Sequence, residues 1–390
     1  MKKTFNKLAI ATLVTAASMS ANAFEIESNG WTFSVHGNVN ASYISSSCDN
    51  SSSVVDGAFL CSGSQEPDAI SNGYLPTIIE FGLATQKGGY DVAVHFTFDR
   101  GLDTNEAFNG SNSGTSDEGF RIWLDIGNDE IGNVMLGRSW GVFAYDATFQ
   151  DMTVYGVGGP FFVANPVNTQ LGGAGTGYIF MDRITQATWT LPTSDAWVAQ
   201  VGAYQPLDFY GGGETGSELP GAHGRLRYNF EQGFISSSFI TQDVDVKAVK
   251  ATAASNYTAV AYDITGQFNV DDLSLTASYF KADGLGHTGL FIGAVDPMGK
   301  ERESDGYYVQ GTYTLGSTKL GLNYGVSNLD TTNNDADNTL EEKGKLTAGV
   351  YHTLTSGVTV TAEYSKVEAE NKASKEIDND IFSVGAIYFF

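Results

Sequence analysis

From Trp31 to Phe390 the sequence repeats one unit, about ten residues of alternating polarity followed by a turn. In residues 91–98, Val92, Val94, Phe96 and Phe98 share one face, and Asp91, Ala93, His95 and Thr97 the other. Residues 120–126 set Phe120, Ile122, Leu124 and Ile126 against Arg121, Trp123 and Asp125. Leu320, Leu322 and Tyr324, then Val358, Val360 and Tyr364, repeat the scheme. Successive strand residues point to opposite sides, so a period of two gives strands with one apolar and one polar face.

The connections alternate in length. Short ones, such as 87–89, 231–233, 271–272, 316–317 and 356–357, alternate with long ones. The long ones run roughly over 46–75, 101–118, 141–177, 206–219, 244–256, 284–304, 330–342 and 369–379. This predicts sixteen strands, the sixth near 178–191, starting and ending on the side of the short turns. An even strand number with short turns at one end and long loops at the other describes a barrel that spans an outer membrane. Ten tilted residues cross about 25 Å, the height of its apolar band. Aromatic residues at strand ends, among them Trp31, Tyr90, Trp140, Tyr279 and Phe390, suit its interfacial girdles. A soluble β-sandwich also alternates, but it has no reason to keep the short–long order over so many strands.

Composition removes other classes. Asp and Glu total 45 against 21 Lys and Arg, a net charge of −24, so the chain has no means of neutralising a run of phosphates and no nucleic-acid partner is expected. No run of 18 apolar residues is present to form a spanning helix. Lys2, Lys3 and Lys7, the apolar stretch 8–17 and Ala21-Asn22-Ala23 together form an export signal with a cleavage site. The expected organisation is a cleaved signal peptide, 1–23, and one barrel domain, 24–390. Loss of the three lysines takes the net charge to −27. In an exported chain the two cysteines, Cys48 and Cys61, are expected to form a disulfide. Closing a loop of about 14 residues contributes about 3 kcal/mol.

A sixteen-stranded barrel leaves an aqueous channel where eight strands would be filled by side chains. The longest connection, 141–177, carries Phe143, Tyr145, Phe149, Tyr155, Phe161 and Phe162. That apolar load suits a loop folded inward against the wall, narrowing the bore. The fold class is therefore all-β, a 16-stranded antiparallel transmembrane β-barrel with an inward-folded third outer loop.

Several segments carry a resemblance. The signal peptide, the strand count, Phe390 preceded by Val384, Ala386 and Tyr388, and the run 136–146 (LGRSWGVFAYD) resemble the general porins of Gram-negative bacteria. The resemblance implies that a Gly-Arg strand end leads into an inward third loop whose Asp-Met segment, here Asp151-Met152, supplies acids to the pore constriction. It also implies homotrimers in the outer membrane. Val154-Tyr155-Gly156-Val157 stands where that family often has Pro-Glu-Phe-Gly, so a second expected acid is missing.

The candidate constriction sets Asp146, Asp151 and Tyr155 on the loop against Arg121, Arg225 and Arg227 on the wall. Glu80 faces inward by alternation, and alternation leaves Arg183 undecided. Opposed charges in a narrow lumen orient water and bias ion passage. With Glu80, Asp91 and Asp125 inward and a net of −27, the channel is expected to prefer cations. The expected function is passive diffusion of ions and small hydrophilic solutes. The alternative is an oligosaccharide-selective channel in which Trp123, Tyr145, Phe149 and Tyr155 stack sugars. Five scattered histidines show no metal-site or catalytic spacing, so neither enzyme activity nor a cofactor is expected. The acidic loop 330–342, with Asp330, Asp335, Asp337, Glu341 and Glu342, offers hard oxygens to a divalent cation or a lipopolysaccharide contact. Outer-membrane lipid and lipopolysaccharide are the expected surroundings.

Overall fold

The computed structural model describes residues 24–49, 53–61, 68–101, 120–160, 169–209, 214–245 and 256–390. The signal peptide, and Phe161 and Phe162 of the third loop, lie outside these residues. A short strand β1 (Phe24–Ser28) forms a hairpin with the base of β2 (Trp31–Cys48), and β3 (Ala69–Ser71) bridges the upper part of β2. The wall continues through β4 (Thr77–Lys87), β5 (Tyr90–Arg100), β6 (Phe120–Asn128) and β7 (Gly132–Trp140). After the third loop come β8 (Arg183–Thr190), β9 (Trp197–Tyr204), β10 (Gly221–Phe230), β11 (Gly233–Asp245) and β12 (Asn256–Val270). The last six are β13 (Leu273–Asp283), β14 (Glu303–Leu315), β15 (Thr318–Leu329), β16 (Leu340–Thr355), β17 (Val358–Asn371) and β18 (Glu376–Phe389).

Strand β2 and strands β4 to β18 make sixteen antiparallel neighbours, and β18 returns to β2 from Asn379↔Cys48 to Phe389↔Asn38. The ring is closed, so every spanning strand has two hydrogen-bonded neighbours, as a hydrocarbon environment requires. The ends of the wall meet at Gly37, whose N–H donates to the Phe390 carbonyl at 2.9 Å.

The faces are inverted relative to a water-soluble protein. On β17, Val360 and Tyr364 point out and are exposed, whereas Thr359, Thr361, Glu363 and Ser365 point in and are buried. The same holds on β12, where Val260, Tyr262 and Ile264 are exposed while Asp263 and Thr265 are buried. The interior is not polar throughout, however. Ile240, Phe280 and Tyr308 face inward on β11, β13 and β14, and they pack with Phe143, Ala147, Tyr178 and Leu290 from the loops. Apolar luminal positions therefore mark where loops seat.

Three boundaries differ from the sequence reading. The sixth wall strand begins at Arg183, not near 178, because Phe180 N–H bonds to the Thr288 carbonyl of the β13–β14 loop and Asp182 takes a left-handed φ of 57°. The last outer connection is only the turn 372–375, since β17 and β18 continue their pairing past the expected 369–379. Their luminal Val367, Ala369, Ile377 and Ile381 are covered by Val55, Ala58 and Leu60 of the first outer loop, which extends the useful length of the sheet. The β1 hairpin carries no long alternating run, and periodicity alone passes over it.

Candidate functional site

The third outer loop leaves the wall at Trp140 and returns at Arg183, closed at its base by Gly141 N–H to the Asp182 carbonyl at 3.0 Å. Ala144 turns the chain with φ 52°, and the short helix α1 (Tyr145–Gln150) follows. Asp151 ends α1 and caps the 3₁₀ turn Met152–Tyr155, its Oδ1 accepting from Thr153 N–H at 3.0 Å.

Luminal side chains hold the loop at several points among its described residues. Ser238 on β11 accepts from Ala144 N–H at 2.8 Å, and Tyr308 on β14 donates to the Ala147 carbonyl at 2.9 Å. Gln310 on β14 donates to the Gln150 carbonyl and accepts from Met152 N–H at 2.7 Å. On the far wall, Glu363 of β17 accepts from both Val157 N–H and Gly158 N–H, at 2.7 and 2.9 Å. A methyl group on Gly156 would lie 2.1 Å from that carboxylate, which is why the residue before the clamp has no side chain. Lys345 on β16 donates to the Gly172 carbonyl at 2.7 Å. The segment therefore lies against the inward faces of β11, β14, β16 and β17.

The charged residues fall into three groups. Asp146 on α1 takes a bidentate pair from Arg225, both contacts at 2.7 Å, and a further 2.6 Å contact from Arg227. Burial pushes the Asp146 carboxyl up, but the two guanidiniums outweigh this and hold it below the ordinary aspartate value of 3.8. Arg225 also covers the Tyr145 ring at 4.5 Å, and Arg227 the Phe234 ring at 3.6 Å. Loop and wall charges at this point are in contact, with no open lumen between them.

The second group forms around Asp99, a residue the sequence reading passed over. Its carboxylate accepts from Arg121 Nε at 3.0 Å and from Arg183 Nε at 2.7 Å, and both guanidiniums lie over Trp140 at 4.7 and 4.4 Å. Arg183 therefore faces inward, against its phase with the outward Trp189. Arg183 is the first residue of β8, at the strand's end, and its side chain reaches Asp99 although the pairing with β7 keeps an unbroken register. Asp99 continues the inward series His95, Thr97 on β5, so period two could have found it.

The third group is Glu80 with His36 at 3.4 Å and His95 at 2.9 Å, and His95 lies flat on Trp123 at 4.6 Å between centroids.

Asp151 meets no arginine. Its Oδ2 lies 2.8 Å from the Tyr178 hydroxyl. Tyr155 packs edge-on against Phe389 at 5.8 Å, and burial pushes its hydroxyl up to about 12. Of the aromatics expected to stack sugars, Trp123 is taken by His95 and Arg121, Tyr145 by Arg225, and Phe149 by Trp140. In the acidic loop, Arg302 binds the Asp335 carboxylate, which also accepts from Thr332 N–H. Among the described residues no group of three or more His, Cys, Asp or Glu converges on a point where a metal ion would sit. Cys48 and Cys61 are joined, with Cα atoms 6.1 Å apart.

A sequence profile of the family described as Gram-negative porin matches residues 9–372. No curated protein sequence matches the chain. Among solved structures, the outer-membrane channel DcaP of Acinetobacter baumannii is similar, with a TM-score of 0.67 and 16% identity over 94% of this chain and 99% of that one. An anion-selective porin from Comamonas acidovorans superposes with a TM-score of 0.61, 13% identity, and 92% and 100% coverage. OmpT of Vibrio cholerae in its trimer form gives 0.54, with 15% identity and 93% and 100% coverage. At these identities the likeness is one of fold.

Proposed function

This chain belongs to the Gram-negative porin family, and from that premise we propose that its barrel is a water-filled pore for passive diffusion of ions and small hydrophilic solutes, with a preference for cations. Outer-membrane location and a channel for small solutes, without enzymatic activity, come with the family. The observation that carries the reading is the inversion of faces: apolar side chains ring the outside while carboxylates, hydroxyls and guanidiniums line the inside. Sixteen strands leave room for water beside the third loop.

The third loop narrows the bore, with Asp146 bound to Arg225 and Arg227, Arg121 and Arg183 bound to Asp99, and Glu80 beside its histidines, while Asp151 and Tyr155 are packed against Tyr178 and Phe389. Cation preference is supported by charge. Each pair of constriction arginines shares one carboxylate, Asp146 or Asp99, and so keeps one positive charge, but over the whole chain carboxylates outnumber basic groups by 45 to 21, and that excess favours cations. A homotrimer fits the trimer form of the similar Vibrio cholerae structure. In it, the exposed apolar belt meets lipid, lipopolysaccharide or neighbouring copies.

Reconstitution in a planar bilayer tests this. A stable ohmic conductance with a reversal potential displaced toward the cation equilibrium is the expected result. Absence of conductance overturns the channel, and an anion-directed reversal potential overturns the selectivity. Saturating block by maltooligosaccharides would replace passive diffusion by the sugar-selective alternative.

A further inference from the structure

Beside the constriction, a cleft of about 320 Å³ opens between the third loop, the segment before β4 and the β13–β14 loop. That volume is at the lower end for small-molecule sites. One wall is apolar, built from Phe149, Phe180, Leu171, Leu290 and Ile292. Another part of the lining is charged, with Arg138, Arg183, Asp182 and Asp208.

Trp140 also lines the cleft, and its indole N–H is buried with no acceptor among the described residues. An unmatched buried donor costs free energy unless something else supplies the acceptor. Beside it, Arg121 and Arg183 share the single Asp99 carboxylate, leaving one positive charge in excess. Arg183 spends only Nε on Asp99, so its terminal nitrogens have no partner among the described residues. Two carboxylates balance this excess. Asp182 Oδ1 accepts from Arg183 N–H and Asp208 Oδ1 from Thr215 N–H, which leaves the Oδ2 of each without a described partner.

We propose that this cleft is a binding subsite for a small zwitterion with an apolar side chain, the size and chemistry of a free leucine or phenylalanine. The solute carboxylate takes the Arg183 terminal nitrogens and the Trp140 N–H, its side chain lies on the Phe149, Phe180 and Leu290 surface, and its ammonium pairs with Asp182 and Asp208. Both charge signs in one apolar-walled cleft select a zwitterion over either single-charged analogue, because the analogue leaves one set of groups desolvated and unmatched. The inference rests on the channel reading, which it refines by naming a solute class held beside the third loop.

The test is conductance of the purified full-length channel in a bilayer, titrated separately with L-phenylalanine, 3-phenylpropanoate, 2-phenylethylamine and glycine. L-Phenylalanine is expected to reduce the current saturably, with half-effect at a concentration at least about tenfold lower than for any of the other three, the ratio one lost charge-assisted contact gives. Arg183→Gln is expected to abolish that advantage. Asp208→Asn, which keeps the acceptor for Thr215 and cannot disturb the Asp99 pair, is expected to remove it while leaving 3-phenylpropanoate unchanged. Equal block by all four solutes, or an Asp208→Asn channel that still prefers phenylalanine, overturns the subsite. A channel that conducts without saturation keeps the pore and loses the subsite, whereas a silent protein fails at the pore itself.

Discussion

Asp146 and Arg225, 79 positions apart in the chain, form a bidentate pair with both contacts at 2.7 Å, and this pair seats the third loop on the wall at β10. Arg227 closes on the same carboxylate. The geometry makes Asp146 the shared counter-ion of two arginines as well as an anchor. Asp146→Asn leaves both guanidiniums without a counter-charge, and removing one member of a buried pair costs about 3 kcal/mol. The reversal potential in a potassium chloride gradient is expected to move toward anions, and the current to become noisier as α1 loosens. An unchanged reversal potential would show that Asp146 does not control the local field.

The same residue sets an acid limit. Its folded-state pKa lies below the ordinary 3.8, so the carboxylate contributes stability that is complete above that value and lost as pH falls through the depressed one. Through this group, conductance is expected to stay level from pH 7 down to about pH 4. A fall in loop attachment is expected only in more acidic solution. The Asp146→Asn channel should lack that acid transition, and single-channel recording across the range checks both statements.

Glu363 holds the far end of the loop by accepting from Val157 and Gly158 N–H while Tyr351 donates to its other oxygen at 2.5 Å. Glu363→Ala strands two backbone donors, at about 1–3 kcal/mol each. The loop tip should leave the β17 wall, giving a larger and more fluctuating unitary conductance. Gly156→Ala, whose new methyl would press into the same carboxylate, should shift conductance in the same direction by a smaller amount.

The Cys48–Cys61 link ties the first outer loop to the end of β2, with Lys343 donating to the Ala58 carbonyl and Asn379 to the Leu60 carbonyl. Residues 53–61 thereby cover the upper luminal face of β16 to β18. Replacing both cysteines by serine should lower resistance to denaturant by about 3 kcal/mol, the entropy of a loop of this length. Conductance is expected to rise as the covering segment moves, and dithiothreitol added on the loop side should reproduce the rise in the native channel.

The relation of sequence to structure differs from one residue to the next. Arg121, Glu80, Arg225 and Arg227 lie on the inner face that alternation assigned them, because pleating leaves a strand residue only two directions. Alternation left Arg183 undecided, and the structure decides it: at the first position of β8 its guanidinium reaches Asp99, a contact made by tertiary packing. Asp99 lies two residues beyond Thr97 on the inward face of β5, so the same period of two reaches it. Asp151 shows the opposite case: it lies on the third loop as its motif suggested, yet it turns to Tyr178 instead of an arginine, a choice made by packing.

What the sequence determined by itself is the wall: strand number, which face meets lipid and which meets water, and the end from which the long loops emerge. Those properties follow from a period of two and from turn lengths, both local in the chain. Only the tertiary structure decided which carboxylate meets which arginine, that two guanidiniums pack over Trp140, and how much of the lumen the first and third loops cover. Such contacts join residues tens to hundreds of positions apart, and their geometry exists only once the sheet has closed on itself.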